Sequence, residues 1–276
     1  MNSSNKNANE PILSVKDLVQ DFKSPGGQIH HVIKGVSFDI YPGEIFSLVG
    51  ESGSGKSTIG KDIIGLNKVS SGTILYHNMD LAKNLSKKQG REIRKSLQMI
   101  YQDPLASLNP SLSVGSIVAE GLDNYKMYSS KEERDKKISD MLLMVGLGPH
   151  YIEKYPHHLS GGQRQRVGIA RSLIMNPDLI IADECISALD VSVQAQVVNL
   201  LRDIRDKTNT AILFIAHDLS MVKYISDRIA VLNKGNIVEI GTPKEIFDNP
   251  QDDYTKSLID AIPDIDPIAE KERLQK

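Results

Sequence analysis

The segment Gly50-Glu51-Ser52-Gly53-Ser54-Gly55-Lys56-Ser57 constrains this chain more than any other. It satisfies G-x-x-x-x-G-K-[ST] and lies between an apolar run, Ile45-Phe46-Ser47-Leu48-Val49, and the helix-compatible stretch from Lys56 to Leu66. Strand, glycine-rich loop and helix in that order are the context in which the pattern carries chemistry. Glycines let successive backbone N–H groups curl around phosphate oxygens, and the helix N-terminus adds positive potential. In such a loop Lys56 reaches the β- and γ-phosphates of a nucleotide and the Ser57 hydroxyl ligates Mg²⁺. The predicted nucleotide-binding run is therefore Gly50 to Ser57 with the adjoining Thr58.

Three further strands end in polar groups suited to such a ligand. Leu179-Ile180-Ile181-Ala182 and Ala211 to Ala216 are short continuous apolar runs, the pattern of strands covered on both faces in a parallel sheet, and Val191 to Asp206 fits the crossover helix between them. The first run stops at Asp183-Glu184, where a parallel sheet opens into its ligand crevice. Asp183 can enter a Mg²⁺ shell there, and Glu184 can polarise a water. Ala211 to Ala216 ends at His217, and Leu97 to Tyr101 ends at Gln102. Taken singly these residues have plainer uses: acidic pairs cap helices, a lone histidine is more often structural, and an amide at a strand end satisfies backbone groups. If the strands are parallel neighbours, the loop, carboxylates, imidazole and amide converge on one edge, and His217 can donate a hydrogen bond to a γ-phosphate.

From Ile12 to Ile40 the alternation is broken, with a turn at Pro25-Gly26-Gly27, which predicts an antiparallel β layer; Gly72 to Met79 predicts another short hairpin. Between Leu112 and Ile174 helical spacing dominates, as in Ile138, Met141, Leu142 and Val145. That lobe contains Leu159-Ser160-Gly161-Gly162-Gln163, in which Ser160 and Gln163 have capping-box spacing although two glycines occupy the first turn. A helical glycine costs on the order of 1 kcal/mol relative to alanine, and close approach of an anion is one reason to keep two. An anion would also offset Arg164 and Arg166, which lie unfavourably in the helix dipole. After Gly241 the chain becomes polar and proline-punctuated, with an expectation of partial order against something else.

A formal net charge of -2 provides no overall positive field to recruit nucleic acid. The polar start lacks the apolar stretch of a secretory signal and the longest apolar runs are strand-sized, so the chain is expected neither to cross nor to enter a membrane alone. With Cys185 as the single cysteine, no internal disulfide forms; a small buried filler is its expected role.

With the glycine-rich loop, LSGGQ, the Asp-Glu strand end and His217 in this order and spacing, the chain resembles ABC-transporter ATPases over nearly its full length. The resemblance implies an α/β fold, a P-loop NTPase (RecA-like) core with an antiparallel β subdomain and an inserted α-helical subdomain. The implied division is core over 12–101, helical subdomain with Q-loop and signature motif over 102–170, core again with Walker B, D-loop and H-loop over 171–241, and a C-terminal tail over 242–276. ATP and Mg²⁺ are the implied cofactors. Phe22 matches the aromatic that stacks on adenine, and Gln102 matches the loop that senses γ-phosphate, joins Ser57 and Asp183 at the metal, and touches the membrane partner. Glu184 matches the general base, with His217 and Gln102 completing the catalytic set, and Ser187-Ala188-Leu189-Asp190 matches the D-loop, which brings Asp190 to the nucleotide. Ser160, Gly161, Gly162 and Gln163 are expected to close over the nucleotide of a second subunit in a head-to-tail dimer.

Within the family, Gln102 to Pro110, Ser187 to Gln196, and the tail residues Tyr254 to Leu258, Ala261-Ile262-Pro263 and Asp266-Pro267 look like the F-type subunit of the oligopeptide and dipeptide permease branch. That branch implies peripheral attachment at the cytoplasmic face of the cell membrane. The implied partners are a paralogous D-type ATPase or a second copy, two transmembrane permease subunits, and, indirectly, an extracellular peptide-binding protein; nucleic acid is not among them. A nickel or other solute importer of the same branch, or a regulatory nucleotide-binding subunit with weak hydrolysis, are the alternative readings. The chain departs from the pattern at Cys185-Ile186, where Pro-Thr or Pro-Val is usual, and at Asp253, where proline often precedes the tyrosine. A tail cysteine cluster is absent, so no iron-sulfur cluster is expected.

Overall fold

A computed structural model describes residues 10–261. The N-terminal half contains β1 (Leu13–Lys23), β2 (Ile29–Ile40), β3 (Ile45–Val49), α1 (Lys56–Ile63), β4 (Ser71–Tyr76), β5 (Met79–Asp80), α2 (Lys87–Ser96) and β6 (Leu97–Ile100). Helices α3 (Pro104–Ser107), α4 (Val114–Tyr125), α5 (Lys131–Met144) and α6 (Gly161–Leu173) follow. The remainder is β7 (Leu179–Asp183), α7 (Val191–Thr208), β8 (Ala211–Ala216), α8 (Leu219–Ile225), β9 (Arg228–Asn233), β10 (Asn236–Gly241), α9 (Pro243–Asp248) and α10 (Asp253–Asp260).

The main sheet has strand order β10-β9-β3-β8-β7-β6, parallel throughout except for β10, which returns antiparallel to β9. Its central strands are apolar at nearly every position because both faces are covered. Ile45, Val49, Ile180, Ala182, Ile212 and Phe214 face one core, shared with Val118 of α4, Val167 of α6, Val198 of α7 and Val222 of α8. Phe46, Leu48, Ile181, Leu213 and Ile215 face the other, shared with Ile59 and Ile63 of α1 and with the second sheet. That second sheet, β2-β1-β4-β5, is antiparallel and contributes Leu13, Val15, Ile33 and Ile74. The β1–β2 hairpin turns through Ser24 to Gln28, at the expected Pro-Gly-Gly, and Lys34 N–H donates to Gly235 O at 2.9 Å to tie the two sheets together.

Ile138, Met141, Leu142 and Val145 are buried together as their spacing predicts. Cys185 is buried too, and burial pushes its thiol up to about 12, which suits a packing role and leaves no thiolate at neutral pH. Helix α2, the β9–β10 hairpin and α8 are additions to the elements expected from sequence. The hairpin has a legible signal: its turn residues Lys234 and Gly235 both take positive φ, 46° and 87°, the backbone a two-residue hairpin loop requires. Beyond β10 the described part of the tail, 242–261, folds into two helices, α9 and α10. Thr242 and Glu245 form a capping box on α9, and Phe247, Tyr254, Leu258 and Ile259 pack against the core. The tail features at Ile262, Pro263, Asp266 and Pro267 lie outside the described residues. Among the described residues, no helix is long and apolar enough to cross a membrane.

Candidate nucleotide site

Strand register puts the predicted polar groups on one edge. Val49 pairs with Ala216, Ile215 with Asp183, and Ala182 with Ile100. The residues that leave these strands, Gly50, His217, Glu184 and Gln102, therefore emerge side by side from β3, β8, β7 and β6. The parallel-neighbour condition posed by the sequence is met.

Between β3 and α1 the chain turns through Gly50, Gly53 and Gly55 at φ of 149°, 80° and 110°. Gly50 admits no side chain, since a Cβ there would stand 2.1 Å from Leu232 O of β9. Lys56 folds back over the loop and its Nζ donates to Gly50 O at 2.7 Å and Glu51 O at 2.8 Å. Burial holds its ammonium below the usual lysine range, with Glu184, Asp183 and Glu51 pulling the other way. Ser54 is buried and its Oγ has no hydrogen-bond partner in the described structure. Ser52 and Gly53 are exposed at the loop tip and Thr58 is half-buried in the first turn of α1.

Ser57 Oγ donates to Asp183 Oδ1 at 2.7 Å, so two of the three predicted metal ligands are in contact, while the third, Gln102, bonds Glu184. Burial raises the Asp183 carboxyl above its usual range, against the Ser57 hydrogen bond and with the nearby Glu184 charge adding to the rise. Among the described residues no cluster of three or more His, Cys, Asp or Glu forms a metal site. A hydroxyl and one carboxylate suit Mg²⁺, which takes few protein ligands and fills its octahedron with substrate phosphate and water.

Gln102 Nε2 donates to Glu184 Oε2 at 2.8 Å, which joins the ends of β6 and β7. Glu184 holds φ at 44°, a left-handed conformation uncommon outside glycine, and three bonds fix it: its N–H donates to Ile215 O, and its carbonyl accepts from Ser187 N and Ser187 Oγ. Cys185 and Ile186, buried behind it, supply the turn that a proline would otherwise stiffen. His217 is exposed at the end of β8.

The other predicted residues stand apart from this edge, and no described hydrogen bond or ion pair links them to the loop. Phe22 lies on β1 opposite His30 and is 40% exposed. Ser160 caps α6 by accepting from Gln163 N at 3.3 Å, and its N–H donates to Gln163 Oε1 at 3.0 Å, as the capping-box spacing predicts. Asp190 caps α7 by accepting from Val193 N. The two glycines of α6 differ in cause. A Cβ on Gly162 would stand 2.5 Å from Val193 Cγ1, so packing against α7 already explains it; a Cβ on Gly161 would meet only Leu189, at 3.8 Å, so nothing within the chain demands glycine there. Arg166 is satisfied within the chain, donating to Val145 O at 2.6 Å and Gln196 Oε1 at 2.9 Å, whereas Arg164 is satisfied in part: its Nη1 donates to Leu159 O at 2.6 Å and its Nε is buried with no partner among the described residues.

Residues 33–187 match the family model of the ABC transporter. The chain belongs to the ABC transporter family. Residues 238–276 match the oligopeptide/dipeptide transporter C-terminal region. The oligopeptide transport ATP-binding protein OppF of Streptococcus pyogenes serotype M1 is 52% identical over 264 residues, 96% of this chain and 86% of that protein. The dipeptide transport ATP-binding protein DppF of Lactococcus lactis subsp. cremoris is also 52% identical, over 95% of this chain and 84% of its own length. Among solved structures, cbiO1 of Clostridium perfringens, part of the ABC transporter complex cbiONQ, superposes with a TM-score of 0.76 at 32% identity, covering 87% of this chain and 92% of its own. The ATP-binding cassette MJ0796, in a dimeric post-hydrolysis state bound to ADP and Pi, gives a TM-score of 0.76 at 30% identity, with 84% of this chain and 98% of its own covered. These likenesses bear out the ABC resemblance and the mixed α/β P-loop fold.

Proposed function

We propose that this ABC cassette binds and hydrolyses ATP to energise uptake of oligopeptides or dipeptides, as an F-type ATPase subunit peripheral to the cytoplasmic face of the cell membrane. The carrying observation is the convergence in register of loop, carboxylates, amide and imidazole on one sheet edge. The match of residues 238–276 to the oligopeptide/dipeptide transporter C-terminal region supports the cargo class.

In this reading the Lys56 ammonium, now shared between the Gly50 and Glu51 carbonyls, turns to the β- and γ-phosphates. Its lowered proton affinity reflects the dry setting in which a cation and loop N–H groups stabilise charge on a transferring phosphoryl group most strongly. Ser57 and Asp183, with the Gln102 amide, would hold Mg²⁺, which would supply positive charge to offset that of the phosphates. The Gln102 amide, released from Glu184, faces the metal and γ-phosphate. Glu184, freed of that bond, aligns a water and takes its proton, and His217 donates to the γ-phosphate. Strain of about 1–3 kcal/mol in a left-handed residue is tolerable where the surroundings over-determine it, and it aims the Glu184 carboxylate along the sheet edge.

The site is completed by a second cassette, a D-type paralogue or another copy. Phe22 stacks on adenine, and Ser160, Gly161, Gly162 and Gln163 with the Asp190 loop close over the neighbour's nucleotide. The open space at Gly161 supports that closure, because a phosphate can approach the α6 N-terminus there. A cleft of about 760 Å³ runs past Gln102 along β6, with Leu97, Met99, Tyr125 and Arg171 in its walls, and we assign it to the transmembrane permease pair. Glu184→Gln tests the mechanism. ATP binding is retained while steady-state turnover of the assembled transporter falls ~10²–10⁴-fold, the usual range for a lost general base. Turnover equal to wild type would refute the assignment.

A further inference from the structure

The phosphate loop is held from outside the region that matches the ABC transporter model. Glu51 N–H donates to the phenol oxygen of Tyr254, 203 residues away on α10, at 3.1 Å. Helix α10 is fixed before it reaches the loop. Glu239 of β10 accepts from Gln251 N at 2.9 Å and Asp252 N at 3.2 Å, and Asp252 Oδ1 caps the helix by accepting from Tyr254 N at 2.9 Å. Thr255 is buried, and Tyr254, Leu258 and Ile259 pack on the core that includes Val49, the last residue before the loop. A rigid support therefore delivers one hydroxyl to one loop amide.

The position of that amide gives the contact its meaning. The same residue's carbonyl, and that of Gly50, receive the Lys56 ammonium. On its other side, Gly50 lies so close to Leu232 O that no Cβ fits. The two peptides that lead into the loop are thus fixed by β9, by Lys56 and by Tyr254. When Lys56 turns to a phosphate it releases both carbonyls, and the bond to Tyr254 is then the one side-chain restraint left on the Glu51 backbone among the described hydrogen bonds.

We propose that Tyr254 is a positioning residue of the phosphate loop, its phenol oxygen holding the Glu51 peptide in the nucleotide-receiving conformation once Lys56 has left the loop carbonyls. This rests on the nucleotide-site reading above. It gives the C-terminal segment a direct part in nucleotide affinity, besides any part in assembly.

The test compares wild type, Tyr254→Phe and Leu258→Ala as purified full-length chains, using a fluorescent ADP analogue with Mg²⁺ and thermal melting in parallel. The diphosphate needs only one chain's loop, so dimer closure does not enter the measurement. Tyr254→Phe keeps the ring and its packing, and Kd is expected to rise about three- to ten-fold, the worth of one ordinary hydrogen bond, while the melting temperature falls by no more than about 5 °C. Leu258→Ala removes packing and keeps the hydroxyl, so it lowers the melting temperature with a smaller change in Kd. Unchanged or tighter binding by Tyr254→Phe overturns the proposal, as does a rise in Kd that follows melting temperature across both variants. Failure of the wild-type chain to bind the analogue would instead strike at the nucleotide site itself.

Discussion

Gly50→Ala asks whether the loop shape is imposed by its neighbour β9. The added Cβ would lie 2.1 Å from Leu232 O, 3.1 Å from Ser54 Oγ and 3.2 Å from Leu232 C, and the nearest obstacle is backbone, which cannot rotate away. Leu232 is fully buried and paired with Ile237, so the loop must move by about an ångström. Overpacking of this kind costs about 1–3 kcal/mol, and the φ of 149° adds about 1–3 kcal/mol for a residue with a side chain. At roughly 2–4 °C per kcal/mol for a chain of this size, the variant should melt roughly 4–24 °C below wild type. Gly53→Ala is the matched control: its φ of 80° is also left-handed, yet nothing lies within 4 Å of the added carbon. Only the backbone cost of about 1–2 kcal/mol remains, a fall of a few degrees. Melting curves followed by circular dichroism decide the matter. If the two variants melt together, or Gly50→Ala melts with wild type, contact with β9 does not set the loop.

Three other outcomes are expected. Ser160→Arg in a Glu184→Gln background should abolish the ATP-dependent dimer on gel filtration, because the side chain fills the space reserved for the partner's γ-phosphate; a persisting dimer refutes the head-to-tail arrangement. Phe22→Ala should raise KM for ATP about five- to hundred-fold, as expected for ~1–3 kcal/mol of base stacking, with only a small fall in melting temperature since the residue is 40% exposed at the surface; an unaltered KM removes Phe22 from the site. Asp62, buried on α1 with Oδ2 unpartnered, has its carboxyl raised to about 6 by burial, against the hydrogen bond from Asn67. The folded state then binds the proton more tightly than the unfolded one, so this group's contribution to stability is fully present below about pH 4 and is lost as pH rises through 6. Asp62→Asn should therefore stabilise the protein at pH 7.5, by on the order of 2 kcal/mol, and the gain should vanish near pH 4 in urea titrations. A gain that does not change with pH would mean that the carboxyl does not titrate as its burial implies.

What the sequence makes legible is what a single segment can carry. Ala211 to Ala216 declares a strand covered on both faces, and Gly50 to Ser57 declares a phosphate loop, because in each the physical requirement repeats or crowds within a few residues. Strand termini are legible as well, since chemistry-bearing residues follow apolar runs, and register then aligns Gly50, His217, Glu184 and Gln102 on one edge. The reading fails where a residue answers to a distant neighbour. Gly162 reads as room for an anion until Val193 of α7 is found 2.5 Å from its absent side chain, and Arg166 reads as unbalanced charge until Val145 and Gln196 receive it. Tyr254 is the extreme case, a family mark in the sequence whose hydroxyl reaches the loop only after β10, its turn and α10 are folded together. Local pattern thus locates the groups that touch a ligand, whereas the groups that hold those in place are set by tertiary packing, and Tyr254→Phe is where that division can be measured.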